Sequence, residues 1–212
     1  MVELIRTISL SKAGSDWLGL DYNGKSFYLN DCGNKEIDQI DLDGTILRSI
    51  DISSETSTGN CVYTGKYILT WNNTDRRINF WDLDGTLIRV LPLMTGFSAS
   101  CFFDVDGKYI YFEDRRGTPG MYLRVYDLNG NQVKSITNPW ANIYSCIKVI
   151  NGHIYKCGST LNNIVRTNKD GVIIKTYDMS GIGVVAFDIV TDGKYHYILD
   201  RLASTINQVV LD

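Results

Sequence analysis

Short apolar runs broken by Asn-Gly and Asp-Gly pairs set the rhythm of this chain. A turn followed by an apolar run recurs at Asn23-Gly24-Lys25, Thr64-Gly65-Lys66, Asp106-Gly107-Lys108, Asn151-Gly152-His153 and Asp192-Gly193-Lys194. Successive glycines of this set lie 41, 42, 45 and 41 residues apart. A second turn recurs between them, at Asp43-Gly44, Asp84-Gly85, Asn129-Gly130 and Asp170-Gly171, with glycines 41, 45 and 41 apart. Two independent anchors share one period, which is the mark of an internal repeat. Such pairs tolerate the positive φ that tight hairpins need. Each repeat therefore reads as strand, turn, strand, loop, strand, turn, strand. In the second repeat the four strands, a to d, are expected at 61–63, 66–71, 77–83 and 86–91. The b strands are apolar on both faces, as in Tyr109-Ile110-Tyr111-Phe112, which suits a strand buried on both sides.

A four-stranded antiparallel unit of this length, repeated in a ring, is a β-propeller blade. The last unit has a, b and c strands at 186–190, 194–199 and 207–211 but no d strand. Leu4-Ile5-Arg6-Thr7-Ile8 matches the d strands Ile46-Leu47-Arg48-Ser49-Ile50 and Ile173-Ile174-Lys175-Thr176-Tyr177. Asp212 falls where the Asp of the missing Asp-Gly turn belongs. The N-terminus is thus expected to supply the missing strand and cover edges that an open array would leave unpaired. The predicted fold is all-β. It is a single five-bladed propeller over 1–212, with blades at 16–52, 59–93, 99–138, 144–179, and 184–212 joined by 2–10.

Composition changes this picture little. The chain of 212 residues has 44% hydrophobic and 21% charged residues, ordinary for a globular core. Its net charge of −3 and lack of a basic tract argue against non-specific nucleic-acid binding. No apolar run reaches membrane-spanning length and the opening residues lack signal-peptide regions, so a cytoplasmic, monomeric protein with no membrane association is expected. The five cysteines (Cys32, Cys61, Cys101, Cys146, Cys157) and two histidines show no zinc spacing. Cys61, Cys101 and Cys146 fall in or just before a strands, where free cysteine reads as small apolar filler and, in the alternative, as a soft-metal thiol cluster. No metal site and no cofactor are expected.

Ring topology sorts the connections onto two faces. The tight a–b and c–d hairpins share one rim. The variable b–c and d–a loops share the other, which is the candidate binding face because function concentrates on loops held by a rigid scaffold. Its candidate binding residues are Trp17, Trp71, Arg76, Phe97, Arg115, Arg116, Trp140, Tyr144 and Arg201, since aromatics with arginine mark binding surfaces. Trp17 and Trp140 have a second reading, as wedges between blades. Asp31, Asn72, Asp114, Ser159 and Asp200 recur at the ends of b strands. They read as side chains that satisfy loop N–H groups, or as a ring of carboxylates at the channel mouth. No catalytic residue set stands out, and the protein is expected not to be an enzyme.

Gly65-Lys66-Tyr67-Ile68, Asn72-Asn73 and Arg77-Ile78-Asn79-Phe80-Trp81-Asp82-Leu83-Asp84-Gly85 resemble the NHL type of propeller repeat. That repeat has an apolar b strand, a polar loop, Arg-Ile, and an aromatic before Asp-x-Asp-Gly. The first repeat matches more loosely, with Glu36-Ile37 in place of Arg-Ile. Five-bladed rings also occur in a GlcNAc-binding lectin of the tachylectin type and in arabinanase- and invertase-like glycosidases. The lectin's aromatic signature is missing here, and the sequence reading finds no three unique channel carboxylates. The expected function is a non-enzymatic scaffold that presents the b–c and d–a loop face to a protein or peptide. The alternatives are a carbohydrate-binding lectin-like propeller and a glycosidase with channel carboxylates.

Overall fold

The computed structural model describes residues 1–12, 16–55, 58–92, 102–114, 122–137, 146–158 and 162–212. The first strand, β1 (Val2–Ser9), is set aside by the chain and used last. Blade 1 is β2 (Trp17–Tyr22), β3 (Phe27–Asp31), β4 (Glu36–Ile40) and β5 (Ile46–Asp51). Blade 2 is β6 (Thr58–Tyr63), β7 (Ile68–Asn72), β8 (Arg77–Trp81) and β9 (Leu87–Pro92). Blade 3 is β10 (Phe103–Val105), β11 (Tyr109–Asp114), β12 (Tyr122–Asp127) and β13 (Gln132–Thr137). Blade 4 is β14 (Ile147–Ile150), β15 (His153–Gly158), β16 (Asn163–Thr167) and β17 (Ile173–Asp178). Blade 5 is β18 (Asp188–Thr191), β19 (His196–Asp200) and β20 (Thr205–Leu211), completed by β1. Each blade is a four-stranded antiparallel sheet, and together they make a five-bladed propeller.

Strand β1 pairs with β20 from Val2 opposite Leu211 to Ser9 opposite Thr205, so the two chain ends close the ring as the repeat predicts. Side chains reinforce the seam. The Thr7 hydroxyl donates to Asn207 Oδ1 at 2.8 Å and Arg6 Nε to Gln208 Oε1 at 2.9 Å. The expected b strand at 66–71 starts later, at Ile68, because Thr64 N–H bonds to the Tyr67 carbonyl at 2.9 Å and keeps Lys66 and Tyr67 in the turn.

Five apolar clusters fill the five gaps between neighbouring blades. In the gap between blades 2 and 3, Trp71 meets Phe112 edge-on at 4.5 Å. Between blades 5 and 1, Trp17 packs with Ile8, Leu20, Leu29 and Leu199. The b strands β7 and β11 face these gaps on both sides, which explains why their residues are apolar throughout.

At the circumference, basic residues of d strands reach across to the next blade. Arg6 Nη2 donates to the Leu42 carbonyl at 3.1 Å, Arg89 Nη2 to Leu128 at 2.9 Å and Lys134 Nζ to Lys169 at 3.4 Å, while Lys175 Nζ bonds to the Asp212 carbonyl. Gly44 and Gly85 serve this joint twice over. Their φ values of 91° and 86° lie in the left-handed region, and a Cβ would come within 2.1 Å of the Ser9 carbonyl oxygen or 2.7 Å of the Asp51 one.

Deleting residues 2–8 should destabilise the whole protein by more than about 4 kcal/mol, beyond the usual single-site range, because it bares β20 and opens the last gap. Thermal and denaturant unfolding followed by circular dichroism test this; a variant that melts like the full chain would refute the role given to β1.

Candidate functional site

The b–c ends of the blades show why an Asx residue recurs there. Asp31 Oδ1 accepts the Asn34 N–H at 3.2 Å, Asn72 Oδ1 that of Asp75 at 2.8 Å, and Asp200 Oδ1 that of Ala203 at 3.0 Å. These side chains satisfy loop backbone, the first of the two sequence readings. Asp114, at the corresponding place in blade 3, pairs with Arg124 Nε at 2.6 Å.

Two charged clusters flank this face. Lys12 Nζ lies 2.7 Å from Asp31 and 3.3 Å from Asp38 and also pairs with Glu36. Burial opposes its charge, but the hydrogen bonds to Asp31 and Glu36 and the Asp38 charge outweigh that and raise its pKa. The three acids, which have the spacing of a cation site among the described residues, are therefore already served by an ammonium. Between blades 3 and 4, Lys156 and Glu113 form an ion pair of 3.0 Å with both side chains 1% exposed. Removing either partner would strand a buried charge.

In blade 5, Val185, Phe187, Arg201 and Leu202 line a cavity of about 360 Å³ on the loop face. The Arg201 guanidinium lies over the Phe187 ring, 5.3 Å from its centroid, and also pairs with Asp16. Leu202 is 81% exposed.

The structure therefore distributes the candidate binding residues unevenly. Arg201 lies in this cavity. Arg76 is exposed in the blade 2 b–c loop with a left-handed φ of 54°. Trp17 and Trp71 are fully buried, so neither meets a ligand; both are wedges in blade-to-blade gaps. For Trp71 the two-sided apolar pattern of the b strand already carried that signal. Phe97, Arg115, Arg116, Trp140 and Tyr144 lie outside the described residues, as do Cys101 and Ser159.

The sequence reading missed a charged hub in the channel. Asp21 on β2, Asp104 on β10 and Asp188 on β18 surround Lys148 on β14. Lys148 Nζ lies 3.4 Å from Asp21 Oδ2 and 3.9 Å from Asp104 Oδ1 and is 3% exposed. These are three channel carboxylates, each in a different blade, where the sequence reading found no such set of three. They escaped notice because Asp188 and Lys148 stand at other offsets from the anchor glycines than Asp21 and Asp104, and only the curvature of the ring brings the four together. Each also accepts a backbone N–H of the next blade: Tyr63 to Asp21 Oδ2 at 2.8 Å, Val149 to Asp104 Oδ2 at 2.6 Å, and Leu20 to Asp188 Oδ2 at 2.8 Å. Desolvation raises Asp104 to about 7 and Asp188 to about 6, against the Lys148 charge, which pulls both down. Cys61 and Cys146 are buried nearby, and burial pushes both thiols up, as expected for filler.

The class this geometry defines is the five-bladed β-propeller. No protein-family model and no curated protein matches the chain. Among solved structures it is similar to glutaminyl cyclase from Myxococcus xanthus, with a TM-score of 0.77 and 14% identity over 100% of this chain and 96% of that one. It is also similar to a chain of a nidogen/laminin complex, with a TM-score of 0.62 and 18% identity over 88% and 72%. A third is virginiamycin B lyase from Staphylococcus aureus, with a TM-score of 0.57 and 15% identity over 97% and 69%. At these identities the likeness is one of fold. It is in keeping with the propeller architecture that the NHL-like repeat implies, and it spans both enzymes and a protein found in a complex.

The hub makes stability depend on pH. The folded pKa values of Asp104 and Asp188 lie above the ordinary carboxylate value of 3.8. Their contribution is therefore complete below about pH 4 and is lost as pH rises through about 6 to 7. Each group contributes a slope of at most about 1.4 kcal/mol per pH unit. Asp104→Asn keeps an oxygen for the Val149 N–H and removes one titration. Denaturant unfolding from about pH 4 to 8 should show a shallower loss in the variant, and an unchanged slope would refute this account of the hub.

Proposed function

We propose that the protein is a non-enzymatic binding module whose loop face takes a protein or peptide partner bearing an apolar anchor. One observation carries this reading: the cavity of about 360 Å³ lined by Val185, Phe187, Arg201 and the exposed Leu202. A concave apolar site edged by an arginine that stacks on an aromatic ring has the composition of an interface hot spot. Leu202 alone would be unremarkable, but beside a cavity it offers a contiguous apolar contact. Among the described residues of the same face, Lys12 is engaged by three acids and the loop Asx side chains by backbone N–H groups. That supports recognition over chemistry. The channel carboxylates favour a hydrolase less, because each is turned to the backbone of a neighbouring blade.

Selection from a displayed random-peptide library should enrich sequences with a recurrent apolar residue. Leu202→Asp should weaken the selected peptides at least about tenfold while leaving the melting temperature within about two degrees, as expected for an exposed site. A glycan array run in parallel separates the readings: sugar binding without peptide enrichment would replace this proposal with the lectin one.

A further inference from the structure

We infer that the hairpin-side mouth of the channel binds a small organic cation, with a primary ammonium group held between Asp21 and Asp104. This site lies across the ring from the loop face and does not depend on the function proposed for that face.

The mouth is a cavity of about 250 Å³ whose lining includes Asp21, Tyr22, Tyr63, Asp104, Lys148 and Thr191. Its charges do not balance. Three carboxylates, counting Asp188 below, share the one ammonium of Lys148. That ammonium sits 3.4 Å from Asp21 and 3.9 Å from Asp104, longer than the roughly 2.8 Å of a charge-assisted hydrogen bond. Asp104 is 5% exposed and lines the cavity with its lysine partner beyond hydrogen-bond reach. A desolvated excess of negative charge draws in a proton or a cation. The raised pKa of Asp104, about 7, means that a proton takes this part in mild acid and leaves it open to a cation above neutrality. The titratable groups around Asp104 are Lys148 and Asp21, and Asp188 and Cys61 lie around Lys148 in turn.

The carboxylate geometry selects the kind of cation. Asp21 already accepts the Tyr22 and Tyr63 N–H groups, and Asp104 that of Val149. Too few oxygen lone pairs remain for the six to eight ligands of calcium. A primary ammonium needs only two or three acceptors. Tyr22 and Tyr63 add aromatic surface at the rim, Tyr63 stacked on Tyr28 at 4.8 Å, against which an alkyl chain packs and to which a cation is attracted. Side-chain exposures of 16% for Asp21 and 8% for Asp104 leave both within reach from the cavity, while Lys148 at 3% forms its floor.

The test is titration of the full chain with ethylammonium chloride at constant ionic strength, followed by calorimetry and by amide shifts in NMR spectra. Saturable binding is expected at about pH 8, with shifts centred on Tyr22, Tyr63 and Val149. It should weaken at least about fivefold at about pH 5.5, where Asp104 holds a proton. Asp104→Asn should lose the binding, and Leu202→Asp should keep it. If Asp104→Asn does not fold, the wild-type pH series and the shift map decide. Tetramethylammonium, which has no N–H to donate, should bind more weakly. Absence of saturation at about pH 8, or unchanged binding in folded Asp104→Asn, overturns the proposal. Tight calcium binding that excludes ethylammonium, or equal response to tetramethylammonium, overturns the ammonium assignment.

Discussion

An innermost strand of a propeller blade has one paired edge and one bare edge, and the bare edge faces a place that water barely reaches. Its N–H groups must still find acceptors. In this ring the neighbouring blade supplies them. Asp21 of blade 1 serves Tyr63 of blade 2, and Asn60 of blade 2 brackets Phe103 of blade 3 through its N–H at 3.1 Å and its carbonyl at 2.6 Å. Asp104 of blade 3 serves Val149 of blade 4, and Asp188 of blade 5 serves Leu20 of blade 1. Between blades 4 and 5 the backbone makes the bond itself, from Cys146 N–H to the Phe187 carbonyl at 3.2 Å. Every blade-to-blade joint thus has its own inner clasp.

The charges at the hub follow from that demand. A carboxylate is a strong acceptor for a backbone N–H, but three in one channel repel each other and lose solvation. Lys148 offsets part of this, and burial of the whole group leaves the rest as a standing attraction for positive charge. The outer circumference meets the same kind of demand with arginine and lysine directed at turn carbonyls, where solvent screens the charges and little tension accumulates. The inner and outer joints thus use opposite partners of the peptide group, and only the inner one leaves a charge unbalanced.

The architecture was legible in the sequence because it rests on periodic features. Turn glycines with positive φ, b strands apolar on both faces and the likeness of residues 4–8 to the other d strands each repeat, and each holds in the structure. The site was less legible because it rests on exceptions. Asp21 and Asp104 share one offset from the anchor glycine, but Lys148 and Asp188 sit at other offsets, and the corresponding positions elsewhere hold valine, as at Val62. No pattern in one chain marks such residues as neighbours. Trp71 fell between the two cases: its strand pattern placed it inside, while its nearness to a loop drew it to the surface reading.

The meeting of the two chain ends carries a practical consequence. Asp212 N–H bonds to the Met1 carbonyl at 3.2 Å, at the place where the other blades make their second hairpin. A linker or label attached at either end would therefore depart from the same spot, on the side away from Leu202. Immobilising the protein on a sensor through one end would leave the opposite surface unobstructed, and a donor and acceptor dye placed on the two ends would report opening of the ring as a loss of energy transfer.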